Sequence, residues 1–78
     1  MLDLGKIRNE IDITDSQILE LFERRMALTE EVAQFKIETG KPVFDQQREI
    51  TKLQKLGDAA SCEFNSRGIQ EIFRQIMS

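Results

Sequence analysis

The sequence predicts an all-α protein with three helices per chain, the first of them very long. Two observations carry this. Apolar residues recur at alternating steps of three and four from Leu4 to Phe35, a period that suits a helix and not a strand. No segment alternates apolar and polar residues as a half-buried strand does. At 40% hydrophobic and 32% charged residues, the chain is soluble and helical rather than disordered. Its 78 residues suit one domain, 1–78, with a thin core.

The first helix is expected from about 4 to 39. Its seam reads Leu4, Ile7, Ile11, Thr14, Ile18, Leu21, Arg25, Leu28, Val32, Phe35, a heptad-like register. Asp3 is the N-cap, and Gly40 followed by Pro42 is the stop. A second helix is expected from about 45 to 57, with Ile50, Leu53 and Leu56 on its apolar side and Gly57 near its end. The segment DAASCEFNS then reads as a loop. Asn65 or Ser66 caps a third helix, about 66–78, with Ile69, Ile72, Phe73 and Ile76 inward.

Length sets the first constraint on function. A helix over 4–39 spans roughly 50 Å, whereas a compact domain of this size is only about 30 Å across. Two short helices cannot cover the whole seam, so a second copy is expected on it, antiparallel to the first. An isolated long coiled-coil dimer is the other way to cover it. Both readings exclude a monomer.

Composition removes several function classes. The formal net charge of −3 argues against nucleic acid and against an anionic membrane surface. There is no apolar run long enough to span a bilayer and no signal-peptide pattern, so a cytoplasmic protein is expected. Cys62, the single cysteine, cannot form an internal disulfide. With no histidine, a zinc site or a His-based triad is not available, and the four glycines are too scattered for a phosphate loop. The chemistry falls to Arg, Lys, Asp and Glu, without a metal or cofactor.

Arg25 interrupts the apolar seam. A buried guanidinium needs an anionic partner, although a polar seam residue can also serve to fix register. Lys36 follows eleven residues later, about three turns on, so both project from nearly the same face roughly 16 Å apart. Arg8 precedes Arg25 by seventeen residues, roughly 25 Å and about 100° around the helix. It can join the same site only from the other chain of an antiparallel dimer. In KPVFDQQRE, Asp45, Arg48 and Glu49 follow the turn at helical spacing, with Lys52 on the same face. They read either as a solvated N-cap with an ion pair or as part of a site. Cations of this kind suit a dicarboxylate, and the carboxylates suit a hydroxyl on the same ligand.

The series Arg8, Asp12, Asp15, Leu19, Leu21, Arg25, Val32, Lys36, Gly40-x-Pro42-Val43, Asp45, Arg48-Glu49 resembles the all-helical chorismate mutases in order and spacing over most of residues 4–56. The resemblance implies an intertwined antiparallel homodimer and an isomerase of the shikimate pathway, converting chorismate to prephenate for phenylalanine and tyrosine. It further implies that Arg25 and the partner's Arg8 bind the two carboxylates of chorismate. Lys36 would donate to the ether oxygen, Asp45 and Glu49 would hold the ring hydroxyl, and Arg48 would support the carboxylate side. The family's third helix extends further and supplies a Gln or Glu and often a Ser, so the third helix here is expected to be truncated at Ser78. A non-catalytic dimerisation or regulatory module of the same fold and an isochorismate pyruvate lyase are the alternatives.

Overall fold

The computed structural model describes residues 1–78. It is all-helical: α1 (Leu4–Thr39), α2 (Gln46–Ala59) and α3 (Glu63–Met77) follow in order, with no strand. The chain divides into two units, Met1–Val43 and Phe44–Ser78.

The first unit is α1 with its caps. Asp3 is extended (φ −113°, ψ 111°), and its Oδ1 accepts from the amides of Gly5 at 2.9 Å and Lys6 at 3.3 Å. Two of the helix's orphan donors are thereby satisfied. At the other end Gly40 is left-handed (φ 70°), and its N–H donates to the Lys36 carbonyl at 2.8 Å. Only glycine takes that conformation without strain. At seam position Thr14 the hydroxyl donates to the Glu10 carbonyl at 2.8 Å, which settles its polar group within the helix. Along 36 residues α1 has no buried residue. Leu21 is 64% exposed, Leu28 52% and Phe35 48%, so the apolar seam faces water within one chain.

The second unit is a helical hairpin in which α2 packs on α3. Leu53 and Leu56 from α2, with Ile69, Phe73, Ile76 and Met77 from α3, are half-buried against each other. Gly57 alone is fully buried. A Cβ there would collide with the Gln70 side-chain amide and meet Ser66 Oγ at 3.0 Å. The missing side chain lets α3 approach. Gln70 Nε2 donates to both the carbonyl and the hydroxyl of Ser66, each at 3.2 Å, and lies across this contact.

Three details of the hairpin differ from the sequence reading. The second helix does not stop near Gly57 but continues to Ala59, because Gly57 keeps a helical φ and serves packing rather than termination. The third helix starts at Glu63, not 66, so the connection is Ala60–Cys62 and not the whole of DAASCEFNS. Cys62 is the N-cap, extended and without a side-chain cap bond, and its carbonyl accepts from Ser66 N at 2.9 Å. Asn65 and Ser66 therefore sit inside the first turn rather than at its cap. Ile72, expected inward, is 56% exposed, since one packed neighbour covers only the stripe through Ile69, Phe73 and Ile76. No helix is long and apolar enough to cross a membrane.

Candidate functional site

The six predicted site residues fall on both units. Arg8, Arg25 and Lys36 lie on α1; Asp45, Arg48 and Glu49 lie at the start of α2. Because α1 is one uninterrupted helix, the spacing argument carries over unchanged. Arg25 and Lys36 project from nearly one face about three turns apart, and Arg8 lies too far along the axis to meet them in cis. Arg25 is half-buried, whereas Arg8 and Lys36 are exposed. Lys36 stands in the last turn, where its cation complements the negative end of the helix dipole.

Asp45 has a definite local role. It is extended (φ −140°, ψ 98°), and its Oδ1 accepts from the Arg48 amide at 3.0 Å, capping α2. The expected tie between Asp45 and Arg48 thus runs through the backbone, which leaves the Arg48 guanidinium and the second Asp45 oxygen to other partners. The ion pairs of this unit are Arg67–Glu63 at 3.0 Å and Arg74–Glu71 at 3.3 Å, both on α3.

Asp45, Arg48 and Lys52 line one open cleft of about 730 Å³, together with Gln47, Thr51, Lys55, Leu56 and Phe73. Glu49 does not line this cleft. It is half-buried beside a smaller one of about 230 Å³, with Ile50, Leu53, Arg74 and Met77 among its neighbours. One residue step turns a helix by about 100°, which separates adjacent residues at its surface. Lys55 was missed by the sequence reading, although the signal was there. The stripe Asp45, Arg48, Lys52 continues to position 55 at the same period.

At the start of α2 a capping carboxylate stands beside a cationic cleft, groups whose chemistry suits a small polar anion. The cations suit carboxylates and the second Asp45 oxygen can accept from a hydroxyl. Comparison with known proteins narrows this class. Residues 7–78 match the model of the family chorismate mutase type II, and the chain belongs to that family. Its members are isomerases of aromatic amino-acid biosynthesis, as the motif series implies. The chain is also similar to the T-protein of Haemophilus influenzae, 31% identical over 75 residues. That alignment covers 95% of this chain and 20% of the relative, so the chain spans about a fifth of the relative's length. No solved structure matches significantly.

Proposed function

We propose that the chain converts chorismate to prephenate as an intertwined antiparallel homodimer in the cytoplasm. The family match over residues 7–78 carries this reading, because it takes in all six candidate site residues. The exposed seam of α1 supports the dimer, since it is an apolar surface that one chain leaves uncovered.

The reaction is a unimolecular Claisen rearrangement. The ether C–O bond breaks as a C–C bond forms between the enolpyruvyl methylene and the ring, and no nucleophile or proton transfer is needed. The protein must hold the side chain over the ring and stabilise charge developing on the ether oxygen. Arg25 and Arg8 of the partner subunit would grip the two carboxylates and select the compact conformer. Lys36 would donate to the ether oxygen, where its interaction strengthens as the bond breaks. Asp45, through the oxygen not used in capping, and Glu49 would hold the ring hydroxyl, one of the two carboxylates accepting its single proton. Arg48 would stand on the carboxylate side.

The test is to incubate the protein with chorismate and, separately, with isochorismate, following substrate absorbance and pyruvate release. Loss of chorismate without pyruvate is the expected result. Pyruvate from isochorismate alone would assign a lyase instead, and no turnover of either would leave a non-catalytic module of the fold.

A further inference from the structure

Lys52, half-buried as a residue, lines the same cleft as Arg48, and the exposed Lys55 lines it one turn later. Along α2 the stripe 45, 48, 52, 55 carries one carboxylate followed by three cations on successive turns. Like charges at i, i+4 and i, i+3 repel each other, so this order weakens the helix that bears it. The acids nearest in sequence do not relieve it. Glu49 and Asp58 each stand three residues from a lysine of the pair, yet neither lysine takes part in an ion pair. Glu49 lies instead beside the smaller cleft. The chain as a whole is acidic, with a net charge of −3, so the concentration of cations here is local and one-sided. The cleft wall also includes Leu56 and Phe73, apolar surface suited to a carbon ring.

We propose that Lys52, backed by Lys55, is a further substrate-binding residue that draws a small ring-bearing organic dianion into the Arg48 cleft and sets affinity rather than the chemical step. This rests on the function proposed above. An ammonium that no protein carboxylate pairs gains from a ligand carboxylate, and the half-buried, flexible Lys52 stem can reach along the cleft to present it. A merely structural Lys52, packing its stem on Leu56, would stabilise the hairpin and leave ligand affinity alone.

The experiment compares the full chain with K52Q, K52R and the double variant K52Q/K55Q. Chorismate dissociation constants are measured by equilibrium dialysis at two ionic strengths, with turnover and thermal midpoints alongside. K52Q should weaken binding about tenfold, as for loss of a charge-assisted hydrogen bond, with kcat within about twofold. K52R should restore most of the affinity. The double variant should show a shallower salt dependence of binding and a midpoint no lower than the parental one. Unchanged affinity and salt dependence in K52Q/K55Q would overturn the proposal, whether or not the protein turns chorismate over. Parental binding without turnover, weakened in K52Q, would sustain Lys52 as a ligand residue while refuting the catalytic reading. A parental protein that binds no chorismate would refute both.

Discussion

At the scale of single residues, the proposed mechanism divides the candidate site into groups that would hold the substrate and one that would act on the breaking bond. Lys36 is the second kind in the proposed mechanism. Its cation sits exposed in the last turn of α1, where the helix dipole makes it worth about 0.3–1 kcal/mol, so its removal should cost the fold no more than that. Lys36→Ala should reduce kcat/KM by about 10²-fold or more, mostly through kcat, as expected for a donor to developing charge. Steady-state kinetics on chorismate checks this, and a raised KM with parental kcat would reassign Lys36 to ground-state binding. Composition left Arg, Lys, Asp and Glu as the available chemistry, and the motif series that resembles the family named which of them to propose, so a set of candidates was legible in the sequence. Their local geometry was less so. That Asp45 binds the Arg48 amide rather than its guanidinium depends on cap dihedrals, and that Glu49 leaves the cleft depends on which side of α2 faces α3.

At the scale of elements, α1 was readable end to end. Asp3, the three-four apolar steps, and Gly40 with Pro42 all point the same way, and local signals that agree fix boundaries well. The hairpin was less readable. Gly57 looked like a stop, but it is the point where α3 crosses close to α2, a tertiary demand that no local pattern announces. Cys62 hid the start of α3 because it caps with its backbone alone. Two glycine substitutions separate these roles. Gly57→Val should destabilise the protein by about 1–3 kcal/mol through overpacking against Ser66 and Gln70. Gly68→Ala, in a helix with nothing within 4 Å of the added carbon, should stabilise it by about 0.5–1 kcal/mol. Chemical denaturation of both variants checks the pair, and equal shifts would mean that Gly57 has no packing role.

At the scale of the whole molecule, the proposed site needs Arg8 and Arg25 from different subunits, because one straight helix holds them roughly 25 Å apart. Arg8→Ala and Arg25→Ala should each be nearly inactive as homodimers. Unfolded and refolded together, they form mixed dimers in which one site lacks both arginines and the other lacks neither. With random pairing about half the dimers are mixed, so activity should return to roughly a quarter of the parental value. Absence of recovery after refolding together would place Arg8 outside the partner's site.

The exposed seam of α1 has a further consequence within this assembly. One chain fully buries no hydrophobic side chain, so in the proposed dimer much of the driving force for folding would be collected when two chains meet. Dilution would then act on the proposed dimer as a denaturant does. Its persistence in a cell would depend on how much of it is made, and the proposed catalysis would fade below a threshold abundance with every residue of the site intact.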